Sequence, residues 1–455
     1  MEKDEIIGIL GDWNFWEKEI DVGRQREEYL DLCLRFLKPN VVLALTGVRR
    51  SGKSYLMRQV ARELIAEGKD PKHILIVNFE DRRFAKPSLE LLERIYETYL
   101  EYFGPSKPFI FLDEIHNVDG WERWVRTLHE LGKAKLIVSG SSSKLLSGEL
   151  ATVLTGRHLD VVVFPLDFGE FLEFKNLEIK SGLSVLSKKV EIKHLLREYI
   201  EYGGFPEVVQ TDEKKQLLLA YFDDILTRDI EKRYKIRKSE ALWGLARFYL
   251  TNISKPITFN SIRNFIEGST VTIERFSNYI EEANMVFFLK RFSFSTKEQE
   301  KSPRKVYSID VGLANAVGFR FSENAGRAAE NIVAIELKRR CARNPLLEMY
   351  YWKDPYGKEV DFVVKDGPKA SQLIQVCWDI SDPKTKGREL KSLLNASDEL
   401  KCGNLLVITE DYEGEERAKG RKVTFIPLWK WLLTDQGATL KEKAGAGKKA
   451  KKSKK

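Results

Sequence analysis

Cysteine, histidine and methionine are all scarce in this chain of 455 residues, and long apolar runs are missing. The four cysteines, Cys33, Cys341, Cys377 and Cys402, have no CxxC spacing. They form neither a zinc pattern nor a disulfide framework, and reduced core thiols are expected. Five dispersed histidines argue against a histidine-built metal centre. No stretch reaches the roughly 18 apolar residues that cross a bilayer, so no membrane span is expected. The opening MEKDEIIGILGDW lacks a signal-peptide apolar region, and a cytoplasmic location is the expectation. No internal repeat is found.

Charge of one sign is scarce too, once its position is considered. Of the net +8, the last fifteen residues hold eight Lys against one Glu, or +7, and the rest of the chain is near +1. Such a tail is disordered by composition and favours polyanions without reading sequence; a purely solubilising role fits equally well. The body offers no global electrostatic case for nucleic acid. High Lys and Glu with few Met also suit a thermophile.

What is present is enough apolar content, 43%, to build more than one core in a chain too long for one ordinary domain. After a lead-in over 1–39 with an amphipathic pattern at VGRQREEYLDLCLRFL, short apolar runs alternate with helical patterns. The strand candidates are 41–47, 73–79, 108–113, 135–140 and 159–164. Strands apolar on both faces, separated by helices, predict a parallel sheet covered on both sides. After Pro165 amphipathic helices dominate to about 250, broken by YGGFP at 202–206. Residues 257–310 read as two short helices, a longer one and two strands joined by a charged turn, the winged-helix pattern. Residues 326–433 return to strands and helices.

Residues 47–54, GVRRSGKS, follow an apolar strand and open a helix, as a P-loop does. Gly47 and Gly52 permit the tight turn; Val48, Arg49, Arg50 and Ser51 supply backbone N–H groups; Lys53 suits the β- and γ-phosphates. The Ser54 hydroxyl suits magnesium, and Tyr55 completes the candidate nucleotide-binding set. ATP and Mg2+ are the expected cofactors. About 60 residues on, FIFLDE places Asp113 and Glu114 at the carboxyl end of a buried strand. Asp113 is the second metal candidate; Glu114 is the candidate base that orients the attacking water. The next strand ends in IVSGSSS, where Ser139 and Ser141 are candidate γ-phosphate sensors and Ser141 is preferred for lying past the strand end. Arg157 in LTGR is a candidate arginine finger, in cis or from a neighbouring subunit. Arg49 and Arg50 are further candidate phosphate contacts. The lead-in around Ile20 to Arg24 is a topological guess for the adenine site.

Taken together, GVRRSGKS, NFED, FLDEIHNV, GSSSKLLSGEL, TGRH, FPLDFGEFL, GGFPEVV, LTRDI, RAAENIVAIEL, EVDFVV and LIQVCW resemble archaeal-type P-loop ATPases of the AAA+ class. The C-terminal domain of that family resembles a restriction endonuclease. The resemblance implies an additional-strand sheet with a glutamate between the P-loop strand and its neighbour, magnesium-dependent ATP hydrolysis and self-association into a homo-oligomer. It also makes Arg228 in LTRDI a candidate second sensor. Five segments are expected: a P-loop core with its lead-in (1–165), a helical lid-like region (166–250), a winged helix (251–320), a restriction-endonuclease-like α/β domain (321–435) and a disordered Lys-rich tail (436–455).

A nuclease core of that type needs a helix glutamate, a strand aspartate and a Glu-x-Lys on the next strand. Glu330 and Asp361 fit the first two, but Gln375 and Cys377 stand where Glu and Lys belong, with Glu359 as a partial substitute. A vestigial site is expected. In the winged helix, Lys297, Lys301, Arg304 and Lys305 are the cations placed to reach a phosphate backbone, while the third helix carries Arg275 among three glutamates. The expected function is ATP hydrolysis that drives a conformational change on DNA or other nucleic acid. The competing readings are an ATP-gated switch acting on a protein partner and an ATP-regulated nuclease.

Overall fold

Alternate residues of five short apolar strands face opposite ways, and both faces must be covered. In a computed structural model, β1 (Val42–Thr46), β2 (Ile74–Asn78), β3 (Phe109–Asp113), β4 (Lys135–Gly140) and β5 (His158–Val162) form one all-parallel sheet in the order β2-β3-β4-β1-β5. Val42, Ala44, Leu75, Val77, Ile110 and Leu112 enter one core with Ile6, Leu10, Leu92 and Trp121. Leu43, Leu45, Ile74, Ile76 and Phe111 enter the other with Tyr29, Leu30, Leu56 and Val60. Each such buried aliphatic side chain contributes about 1.5–3 kcal/mol. The α/β class and the covered parallel sheet are as expected. What lies between the P-loop strand and β3 is a strand, β4; Glu114 follows β3 and does not stand between them.

The structure describes residues 1–84, 86–142, 154, 156–179, 182–237, 239–318 and 325–434. The Lys-rich tail from 436 and residues 143–150 of GSSSKLLSGEL lie outside the described residues. The chain divides into two compact units, Met1–Phe164 with Glu282–Asn284, and Pro165–Glu281 with Met285–Lys455.

In the first unit the lead-in holds a helix that its short pattern concealed, Lys3–Trp13, besides Glu27–Leu37. The helix docks through Ile6, Ile9 and Leu10. Its continuation closes an otherwise open sheet edge. Buried Asn14 accepts from the Ile76 N–H (2.7 Å) and donates to the Ile76 and Leu10 carbonyls (2.9 and 2.8 Å). The Trp16 indole N–H donates to the Ile74 carbonyl (2.9 Å).

The second unit begins with helices. Phe168–Phe174 starts on an Asp167/Glu170 capping box, and helices Lys189–Tyr202, Pro206–Gln210 and Lys214–Asp224 follow. The last runs on into a π-helical stretch, Ile225–Lys232, over LTRDI. YGGFP is a close approach as well as a breaker. Gly203 has φ +74, a Cβ on it would lie 2.0 Å from Asp310, and the Gly204 N–H donates to Asp310 (2.7 Å).

Next comes the order helix (Glu240–Thr251), β6 (Pro256–Ile257), helix (Phe259–Ile262), helix (Thr270–Glu282), β7 (Val286–Leu289), β8 (Arg304–Ser308). The strands form an antiparallel sheet in the order β6-β8-β7. The charged connection between β7 and β8 contains a short helix, Thr296–Lys301, where a loop was expected. Last, helix Ala325–Arg343 precedes β9 (Leu347–Lys353), β10 (Glu359–Asp366) and β11 (Lys369–Val376). Helix Pro383–Leu400 leads to β12 (Leu405–Thr409), β13 (Gly414–Ala418) and β14 (Arg421–Pro427), in a mixed sheet ordered β13-β14-β12-β11-β10-β9. Three of the four cysteines are buried, none is bonded, and burial pushes the Cys33 thiol up to about 12. Among the described residues no helix is long and apolar enough to cross a membrane.

Candidate functional site

β1 delivers the chain to Gly47, which has φ +136; a Cβ there would meet the Val163 carbonyl at 2.1 Å. Gly52, at φ +97, turns the chain into the helix Lys53–Ala66. Lys53 is buried, and its ammonium donates to the Gly47 and Val48 carbonyls (3.0 and 3.1 Å). The Ser51 and Thr46 hydroxyls are buried with no hydrogen-bond partner. A loop with orphaned donors, a buried ammonium and a helix N-terminus fits a phosphate chain.

Sequence reasoning missed the loop's brace. Buried Arg26 donates to the Ser51 and Phe164 carbonyls (2.9 Å each) and lies over Tyr29, whose hydroxyl accepts from the Phe164 N–H (3.2 Å). Its signal was faint: an arginine just ahead of an amphipathic helix. Arg26→Met strips two buried carbonyls of their donor. It is expected to cost about 2–4 kcal/mol and to weaken nucleotide binding about tenfold, as read by thermal unfolding and nucleotide titration.

The remaining loop candidates separate. Arg49 is buried and clasps Glu80 through two bonds (2.7 and 3.2 Å). Arg50 is exposed at φ +67, and Val48 is buried. Tyr55 is 43% exposed, borders Gly23 and lies under Arg58. The segment guessed for adenine runs along the P-loop helix: Gln59 donates to the Val22 and Arg24 carbonyls (2.9 Å each).

Asp113 and Glu114 are both buried, at the end of β3. Ser139 and Ser54 hydrogen-bond the Asp113 carboxylate. Burial, then the neighbouring Glu114 charge, raises the Asp113 pKa against the pull of Ser139, Ser54 and Lys53. The Ser54 hydroxyl and a carboxylate short of positive charge form the hard-oxygen set that suits Mg2+. Glu114 sits at φ +51, a strained backbone of the kind held at functional sites. Its N–H donates to Ser139 Oγ (3.0 Å), while its carboxylate lies 3.8 Å from Lys53 Nζ and 3.3 Å from His116 Nδ1.

Of the two candidate sensor serines, Ser139 touches the acidic pair; the preferred Ser141 is buried too, and its carbonyl accepts from Asn284 (3.1 Å). Arg157 does not reach the P-loop of its own chain. Its carbonyl accepts from the Val42 N–H at the start of β1, and its exposed side chain pairs with Glu130 (2.7 Å). It therefore lies a strand's length, roughly 15 Å, from the loop, and the cis finger is corrected. Arg228 is exposed and pairs with Asp224 one turn back (3.1 Å).

Far along the chain, within the second unit, the nuclease-type carboxylates do converge, but on a lysine. Lys305 Nζ, 1% exposed, lies 2.9 Å from Glu330, 2.8 Å from Glu359 and 3.0 Å from Asp361. This corrects the expectation that Lys305 reaches outward to a phosphate backbone. Gln375 sits beside Asp361, accepting from its N–H (3.3 Å) and donating to Glu389 (2.8 Å). Two further lysines near β10, Lys358 and Lys365, pair with Asp354 and Glu348. Of the other wing cations, Lys297 and Lys301 are exposed, while Arg304 is held by Glu300 (3.0 Å).

Residues 39–172 match the family described as AAA domain, 193–324 a domain of unknown function (DUF8612) and 325–431 a second domain of unknown function (DUF4143). An uncharacterized protein of Methanocaldococcus jannaschii is 35% identical over 412 residues, 88% of this chain and 89% of that protein. One of Haemophilus influenzae is 30% identical over 416 residues, 89% of this chain and 98% of that one. A bacterial relative makes "archaeal-type" too narrow a description. Among solved structures, a Walker-type ATPase of Pyrococcus abyssi is 13% identical with a TM-score of 0.44, covering 66% of this chain and 99% of that one. The Aeropyrum pernix ORC1 protein, solved in complex with DNA, is 13% identical with a TM-score of 0.31, covering 66% and 93%. The chain belongs to the same family as the two relatives from Methanocaldococcus and Haemophilus, and it carries an AAA domain followed by two domains of unknown function.

Proposed function

We propose that the chain is a magnesium-dependent ATP hydrolase. One observation carries the reading: the P-loop lysine and serine meet a buried Asp–Glu pair, with Ser54 bonded to Asp113 and Lys53 3.8 Å from Glu114. Ser54 and Asp113 would hold Mg2+, which when bound neutralises phosphate charge. Lys53 leaves the loop carbonyls for the phosphates. Glu114 then loses a counter-charge and is placed to accept a proton from water. Ser139, bonded to both acidic residues, keeps their spacing. Arg157 as a finger requires a second copy of the chain, and Arg228 remains a proposal of the same kind.

The helix–strand–helix–helix–strand–strand order with its antiparallel sheet supports a winged helix, which then starts at Glu240 rather than 251. The helix Ala325–Arg343 and the six-stranded mixed sheet with helix Pro383–Leu400 support a restriction-endonuclease-like domain that does not cleave. DNA is the polyanion we propose for the winged helix and the Lys-rich tail. Against the wing stands its own composition, since Glu298 and Glu300 share the turn with the lysines and Glu300 pairs with both Lys290 and Arg304. That pairing favours the second reading, a nucleotide-gated switch that acts on a protein. The test is ATP turnover in Mg2+ or EDTA, with and without single- and double-stranded DNA. Loss in EDTA is expected, with DNA stimulation of at least about threefold that weakens with salt. Turnover indifferent to DNA overturns the nucleic-acid half and leaves the switch.

A further inference from the structure

The Lys305 cluster is unlike an ordinary buried ion pair. One ammonium with three N–H donors faces three carboxylates from two elements, the helix Ala325–Arg343 and β10, and Lys305 itself comes from a third, β8. Two of the carboxylate oxygens turned away from it are also engaged. Asp361 Oδ2 accepts from the Val376 N–H (3.0 Å), and Glu359 Oε2 pairs with Lys353 (3.1 Å). The Tyr307 hydroxyl, two residues along β8, donates to Glu330 (2.7 Å). Burial opposes the Lys305 charge, yet Asp361 and Glu330 hold its pKa well above the ordinary lysine value. Among the described residues no group of His, Cys, Asp and Glu is arranged to hold a metal ion.

Three carboxylates converging in a buried place need a cation. A divalent ion would sit about 2.0–2.2 Å from their oxygens, in the space the ammonium fills at 2.8–3.0 Å. Both cannot be there, because two cations so close would repel strongly. We propose that Lys305 is the resident cation of this site: it takes the place of a divalent metal, shuts the carboxylates to metal-dependent chemistry and joins β8 to β10 and the helix Ala325–Arg343. The Lys missing from the expected Glu-x-Lys strand is thus not merely absent. Positive charge enters from another sheet, on β8, and is held between the three carboxylates. The joint is sensitive to charge, since neutralising Lys305 leaves three buried carboxylates that can recruit a metal.

The test is Mn2+ binding to the full chain without nucleotide, followed by the loss of the free-ion paramagnetic resonance signal. Wild type, Glu359→Gln, Lys305→Met and Lys305→Met/Asp361→Asn are compared. Wild type and Glu359→Gln are expected to hold equal numbers of Mn2+. Lys305→Met is expected to hold one more, and the double variant to lose it again. A Mn2+ bound by wild type and lost in Glu359→Gln overturns the proposal. So does a folded Lys305→Met, checked by circular dichroism, that gains none. Should Lys305→Met fail to fold, the comparison of wild type with Glu359→Gln decides alone.

Discussion

Glu114→Gln should bind ATP normally and hydrolyse it at least about 100-fold more slowly. The amide keeps the shape of the side chain but cannot accept a proton, and the N–H that donates to Ser139 belongs to the backbone and is unaffected. Lys53→Ala should fail one step earlier. It removes the ammonium that now lies on the Gly47 and Val48 carbonyls, and with it a charge that helps hold Asp113 ionised. Nucleotide affinity should fall at least about 100-fold, or roughly 3 kcal/mol. Fluorescent-nucleotide titration separates the two variants and phosphate release measures turnover. Normal turnover in Glu114→Gln would remove Glu114 from the chemistry. Undiminished binding in Lys53→Ala would remove the loop from the nucleotide site.

These residues were legible because local pattern and chemistry coincide: an apolar strand, a glycine-spaced turn and a helix in one case, four apolar residues ending in Asp-Glu in the other. The strands were legible because each is apolar on both faces. Where the readings failed, the deciding information was not local. The contact of Ser139 with the acidic pair is of this kind: it is set by the register of β4 against β3, with Leu112 opposite Val138. Arg157 fails as a finger for its own chain, and a signal of that existed. It directly precedes a strand, and in an all-parallel sheet the residue before a strand lies at the end opposite the P-loop. Lys305 was read as a wing cation because RKVYSID looks like the end of a charged turn. Its partners lie 25 to 56 residues away, and no spacing rule joins them. Arg26 stands 138 residues from Phe164, the carbonyl it braces.

The close approach of the chain just past β5 to the P-loop makes Gly47 an exacting position in the first unit. In Gly47→Ala the new methyl would lie 2.1 Å from the Val163 carbonyl, in backbone at φ +136 that L residues rarely adopt. The obstruction is backbone, so no rotamer relieves it. The adjacent bond from the Val163 N–H to the Thr46 carbonyl, 2.7 Å, would stretch as the chains part. Gly68→Ala is the control. It has a comparable φ of +96 but nothing within 4 Å of a Cβ, so it carries the conformational strain without the clash. Gly68→Ala should cost about 1 kcal/mol. Gly47→Ala should cost at least about 3 kcal/mol and abolish nucleotide binding, since the loop N–H groups turn away with the displaced backbone. Denaturant midpoints of the two variants measure the difference. Equal losses would mean that strain alone accounts for the glycine, and that β5 does not shape the phosphate loop.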